Sequence, residues 1–193
     1  MLERIHTIDD LWNISHHTDG WDKQFELIEG KLYEMPLNGW LHGVIVANVS
    51  WLITRYVNQH QLGDITAAGT GYILNQQEKD TVLAPDVGFI PAHRIPATIP
   101  DEGYVPFAPD FAVEVVSPGN TTEEMDLKIE AYMRYRTRLL WVLYPKQKKV
   151  LICRPNPNET GTFTGKFVGI DDTLGGGDVL PGFSVAVRDI FGK

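Results

Sequence analysis

Two stretches decide the fold: Ala84-Pro85-Asp86-Val87-Gly88-Phe89-Ile90 and Asp110-Phe111-Ala112-Val113-Glu114-Val115-Val116-Ser117-Pro118. Each is a short apolar run, the form taken by a strand buried on both faces. Each also carries a carboxylate between apolar neighbours, Asp86 in the first and Glu114 in the second, 28 positions apart (114 − 86 = 28). A buried carboxylate is costly unless it is paired or binds a metal. If the two strands are sheet neighbours, the two side chains converge on one cation. Oxygen ligands of this kind favour Mg²⁺ or Mn²⁺. The competing expectation is a buried ion pair with an Arg or Lys.

Downstream of the second stretch, Asn120-Thr121-Thr122 opens a helix running to about Arg136, with Thr121 and Glu124 at capping-box spacing. Met125, Ile129 and Tyr132 form its apolar stripe, so Tyr132 reads as packing. Lys128 lies fourteen positions past Glu114 (128 − 114 = 14) and flanks that stripe. Its stem can lie on apolar surface while its amine reaches the carboxylates. The alternative is a solvent-facing lysine paired with Glu124, four residues earlier.

Upstream, Thr7 and Asp10 have capping-box spacing ahead of a short helix, and FELIEG–KLYEM reads as a hairpin around Glu29-Gly30. Leu41 to His60 is a long helix, with Ile45, Val49, Leu52, Ile53 and Tyr56 at helical spacing and Gly63 as a stop. ITAAGTGYIL, TVLAPDVGFIP and DFAVEVVSP read as three extended runs, the last two separated by a proline-rich loop. LLWVLYP and KVLICRP form a hairpin turning near Lys146-Gln147, and the β-rich remainder turns at Gly175–Gly177 and ends in FSVAVRDIF. This order predicts an α/β (mixed α+β) domain over residues 1–193, with a mixed central sheet flanked by helices and extra hairpins.

Composition excludes several classes. The 193 residues are 43% hydrophobic and 22% charged, ordinary for a globular protein. No apolar run reaches the roughly 20 residues that span a bilayer, and the opening MLERIHTIDD has acids where a signal peptide is apolar. A cytoplasmic protein is expected. The single cysteine, Cys153, excludes an internal disulfide and a cysteine-rich zinc site, and reads as a buried thiol. A net charge of −8 argues against tight non-specific DNA binding. No phosphate-loop, dinucleotide-binding or nucleophile-elbow motif is present.

The ordered set Pro85-Asp86, Glu114, Lys128 resembles the PD-(D/E)XK nuclease superfamily. FELIEGKLYEMP, NGWLHG, APDVGFI, PDFAVEVVSPGNT, the Lys128/Tyr132 pair, RLLWVLYP and LPGF together are similar to the Uma family of restriction-endonuclease-like proteins. The resemblance covers most of the chain. It implies the restriction-endonuclease-like fold and a metal-dependent DNA endonuclease in which Asp86 and Glu114 hold the metal, the Val115 carbonyl is a further ligand and Lys128 positions the water. It adds Glu26 on the first hairpin and His42 at the opening of the long helix as secondary candidates. His42 is in step with Ile45 and Val49, so a core histidine is its alternative.

There are departures. The superfamily's lysine usually lies two residues after the glutamate, where this chain has Val116; the resemblance to the Uma family implies a lysine supplied instead from the helix, as Lys128. Arg136-Thr137 stands where the family usually has Gly-Val, and Tyr144 where an Asp is common. Ala108-Pro109-Asp110 repeats the Ala84-Pro85-Asp86 triplet, and Asp110 is expected to bind a local backbone or basic group instead. Arg134, Arg136, Arg138, Lys146, Lys148 and Lys149 form a basic set that could meet phosphates or simply face solvent. Two rival readings stay open: a non-catalytic binding module that keeps the nuclease fold, and a homodimer joined through Trp12, Trp21 and Trp40.

Overall fold

The computed structural model describes residues 5–17, 24–35, 37–77, 79–159 and 161–192. In chain order the elements are α1 (Ile8–His17), the hairpin β1 (Gln24–Ile28) and β2 (Lys31–Met35), and α2 (Trp40–His60). Then come β3 (Gly63–Ala67), β4 (Tyr72–Asn75), β5 (Thr81–Leu83), β6 (Val87–Pro91), β7 (Phe111–Val115) and α3 (Thr122–Arg134). The chain continues with β8 (Leu139–Tyr144), β9 (Lys149–Pro155), β10 (Phe163–Val168), β11 (Thr173–Gly175), β12 (Ser184–Ala186) and α4 (Val187–Phe191).

The central layer is a six-stranded sheet in the order β10-β9-β8-β7-β6-β3. It is mixed because β7 and β8 run parallel, joined through α3, while the other pairs are antiparallel. Side chains alternate across a strand, and β7 shows the consequence. Phe111, Val113 and Val115 pack with Ile45, Val49, Ile53 and Val57 of α2. Ala112 faces the opposite layer, with Met125, Ile129 and Tyr132 of α3. Each fully buried aliphatic side chain of the α2 stripe contributes about 1.5–3 kcal/mol. The helix-flanked mixed sheet agrees with the expected fold, as do the capping boxes at Thr7/Asp10 and Thr121/Glu124. No helix among the described residues is long and apolar enough to cross a membrane.

Two of the expected extended runs are each divided between two sheets. ITAAGTGYIL splits at Gly69, whose φ of +88° suits glycine, into β3 of the large sheet and β4 of a four-stranded sheet ordered β2-β1-β5-β4. TVLAPDVGFIP splits at Ala84-Pro85-Asp86 into β5 of the small sheet and β6 of the large one. Proline has no N–H for a ladder and does not sit inside a central strand. Asp86 is therefore in the bend that enters β6, not inside a strand as expected. That bend fastens the small sheet to the end of the large one.

The departure at Arg136-Thr137 has a structural cost. Arg136 adopts φ +77° in the turn between α3 and β8, a region that penalises a side chain by about 1–2 kcal/mol. Thr137 is fully buried, and its hydroxyl has no partner among the described residues. The double variant Arg136→Gly/Thr137→Val removes both penalties and is expected to gain about 1–2 kcal/mol in urea denaturation. An unchanged or lowered midpoint would contradict the assignment.

Candidate functional site

The site is built around Glu114, which lies on the α3 face of β7 and is 4% exposed. About two turns into α3, the ammonium Nζ of Lys128 donates to Glu114 Oε2 at 2.9 Å. One turn later, the Tyr132 hydroxyl donates to Glu114 Oε1 at 2.7 Å. Both carboxylate oxygens are thus held from a single helix, because positions i and i+4 share a helix face. Lys128 Nζ also lies 3.1 Å from Glu26 Oε2. The other Glu26 oxygen, Oε1, accepts the Ala84 N–H at 2.8 Å. Glu26 on β1 therefore links the small sheet, the bend before Asp86 and the lysine. It is 2% exposed, and Lys128 is 5% exposed.

Asp86 lies one step beyond the Val87–Val113 pair of the β6–β7 ladder, which sets it opposite Glu114. Its Oδ2 accepts the Val115 N–H at 2.8 Å. The same oxygen is 3.4 Å from Nε2 of His42, a buried residue in the first turn of α2. Asp86 Oδ1 has no hydrogen-bond partner among the described residues. Asp86 and Glu26 line one depression of about 200 Å³ beside Tyr104. His42 lines a second of about 490 Å³. The His42–Asp86 contact lies between the two.

The electrostatics follow from counting charges. Glu26, Asp86 and Glu114 bring three carboxylates into a buried region, against one lysine and one histidine. Burial pushes the Glu114 carboxyl up to about 7; Lys128 opposes this, while the charges of Glu26 and Asp86 reinforce it. Burial alone would discharge Lys128, but Glu114 and Glu26 outweigh it and hold the ammonium well above its usual range. Burial, then the charges of Glu114 and Glu26, raise the Tyr132 hydroxyl well above its ordinary value, so it remains a donor. Burial also acts against the His42 imidazolium, but the hydrogen bond and charge of Asp86, with the Val115 backbone as acceptor, raise it above 6.5.

The structure brings Asp86, Glu114, Lys128, Glu26 and His42 together with Val115. The Lys128 ammonium lies between Glu26 and Glu114, so Glu114 has the buried ion pair of the competing expectation. Lys128 is not the solvent-facing partner of Glu124. Tyr132 does more than pack: it is fully buried, yet its hydroxyl fixes Glu114. The signal was available, since Tyr132 is four residues past Lys128 on one helix face. Val116 packs in the α3 layer. Asp110, buried at the start of β7, binds Arg94 and Arg138 and is separate from the site, as expected. Cys153 is buried, and burial pushes its thiol up to about 11. Of the basic set, Arg134 pairs with Glu29, and Arg138 pairs with Asp110 and Asp178. Trp12 is half-buried, Trp40 is 90% exposed, and Trp21 lies outside the described residues.

If Asp86 sustains the His42 imidazolium, Asp86→Asn leaves burial dominant. The His42 pKa, read by NMR in the presence of a chelator, is then expected to fall below 6.5. In the unsubstituted protein, His42 contributes stability that is full below 6.5 and is lost as pH rises through its raised folded value. The substitution should abolish that loss, and an unmoved His42 titration would contradict the pairing.

No curated protein matches the chain. The fold is similar to the crystal structure of "a putative nuclease belonging to DUF820" from Anabaena variabilis ATCC 29413, with a TM-score of 0.77 and 18% identity, over 96% of this chain and 97% of that one. The family Uma2, described as "Putative restriction endonuclease", matches residues 12–188. The chain, with its Glu26, His42, Asp86, Glu114 and Lys128 gathered at one end of the mixed sheet, belongs to the Uma2 family.

Proposed function

We propose that the chain is a metal-dependent endonuclease that hydrolyses phosphodiester bonds in DNA. The observation that carries this reading is the placement of Asp86 opposite Glu114 at the end of the β6–β7 pair, with Lys128 against Glu114. Family membership and the nuclease-like fold support it.

The donor set suits a hard divalent cation, Mg²⁺ or Mn²⁺. Two carboxylates and a backbone carbonyl, Asp86, Glu114 and Val115, would hold it. Three buried carboxylates exceed the two basic side chains facing them; burial first, and then the charges of Glu26 and Asp86, raise the Glu114 carboxyl. Asp86 Oδ1 is open to a ligand. No group of three His, Cys, Asp or Glu side chains with metal-binding geometry occurs among the described residues, so the carbonyl and water must complete the shell. When bound, such an ion polarises a phosphoryl oxygen and lowers the pKa of a water.

The chain's own residues do the rest. Lys128 holds an ammonium where negative charge develops on phosphate and orients the attacking water. Glu26 keeps that ammonium charged and aimed. Tyr132 fixes the orientation of Glu114. His42, on the oxygen of Asp86, keeps that carboxylate from turning away. Water adds to phosphorus, the ester P–O bond breaks and a proton passes to the leaving oxygen.

Plasmid DNA incubated with Mg²⁺ or Mn²⁺ should be nicked, and Asp86→Ala and Lys128→Ala should each lower the rate by about a hundredfold or more. Calorimetric titration should show divalent-ion binding that Glu114→Gln abolishes. Activity retained in both alanine variants would sink the assignment. A second reading, a binding module keeping the fold without catalysis, is favoured by the engagement of both Glu114 oxygens; absence of any Glu114-dependent ion binding would select it.

A further inference from the structure

The groove beside His42 has a composition that the hydrolytic site does not require. One wall is the opening of α2, where Trp40 is 90% exposed and Leu41 is 58% exposed. His42, one position further on, is the buried residue that touches Asp86. The opposite wall is the turn between β8 and β9, with Tyr144, Lys146 and Gln147. The preceding Leu37 is fully exposed.

An indole left this exposed at the mouth of a groove is the form of a stacking platform. The charge pattern agrees. The chain carries −8 overall, yet Lys146, Lys148 and Lys149 are exposed on this one turn and have no ion-pair partner among the described residues. Of the other candidates for phosphate contact, Arg134 and Arg138 are spent on carboxylates, and Arg136 stands in the turn between α3 and β8, outside the groove lining. Three cations are few for a duplex, whose binding is driven by many phosphate contacts. A duplex also hides its base faces within the stack. An unpaired base exposes a face, and stacking on an aromatic ring depends little on net charge.

We infer that the Trp40 groove is a subsite for an unpaired base, with Lys146, Lys148 and Lys149 receiving the adjoining phosphates, so that the preferred substrate is a single-stranded or unpaired stretch of nucleic acid. The inference rests on the nuclease reading and deepens it. His42 lines this groove and touches Asp86, so a strand stacked on Trp40 lies beside the carboxylate site.

The test is fluorescence anisotropy in a chelator, using a short labelled oligodeoxynucleotide as a single strand and as a hairpin duplex, so that binding is read without cleavage. The single strand should bind more tightly than the duplex. Trp40→Ala should weaken single-strand binding about tenfold or more, Trp40→Phe should retain most of it, and Trp51→Ala, an exposed tryptophan outside the groove, should change nothing. Trp40 is almost wholly exposed, so its removal does not threaten the fold. Equal or tighter duplex binding, or unchanged binding by Trp40→Ala, overturns the inference. So does a Trp40→Ala variant that shifts sedimentation from dimer to monomer with binding intact, which assigns the surface to a second copy of the chain. Trp40-dependent binding without cleavage by the metal-loaded protein would leave the subsite standing and remove the nuclease reading. Cleavage indifferent to Trp40 would do the reverse.

Discussion

Glu114 cannot be buried alone. A carboxylate taken out of water costs several kcal/mol unless charge and hydrogen bonds replace its hydration. Here the replacement comes from one helix, with Lys128 on one oxygen and Tyr132 on the other. That requirement fixes how α3 sits on the sheet: its polar pair must meet β7 while Met125 and Ile129 fill the same layer. It also recruits the small sheet, because Lys128 needs a second carboxylate and takes Glu26 from β1.

The bend at Ala84-Pro85-Asp86 carries out the other half of the arrangement. A continuous strand there would keep Asp86 within a ladder of one sheet. The break lets the Ala84 N–H bind Glu26, while Asp86, two residues on, turns onto the Val115 N–H. One short segment thus connects the two sheets, the glutamate of one and the aspartate of the other. The second basic group, His42, closes the cluster from α2.

Three carboxylates and two basic side chains leave the cluster short of positive charge, which adds to the burial that raises the Glu114 carboxyl. The charge excess is local and buried. The exposed aromatic and lysine-bearing groove beside it has the opposite character. A chain of net charge −8 would need to concentrate its attraction to engage a polyanion, and the lysines of the β8–β9 turn beside Trp40 have no ion-pair partner among the described residues.

The sequence by itself determined the layer architecture, since apolar periodicity and capping residues are local and α2, α3 and the β7–β9 strands follow from them. It also determined that Asp86 and Glu114 needed a cation, because burial is legible from apolar neighbours. Pro85 and Gly69 carried the strand breaks, yet their apolar flanks read as continuous runs, since periodicity reports burial and not which sheet receives the strand. Only the tertiary structure decided which cation each carboxylate meets. Lys128 could have paired with Glu124 by sequence distance alone, and Tyr132 read as packing. The i, i+4 spacing of Lys128 and Tyr132 marks a shared helix face, but which carboxylate that face meets is set by docking the helix onto the sheet, a non-local event.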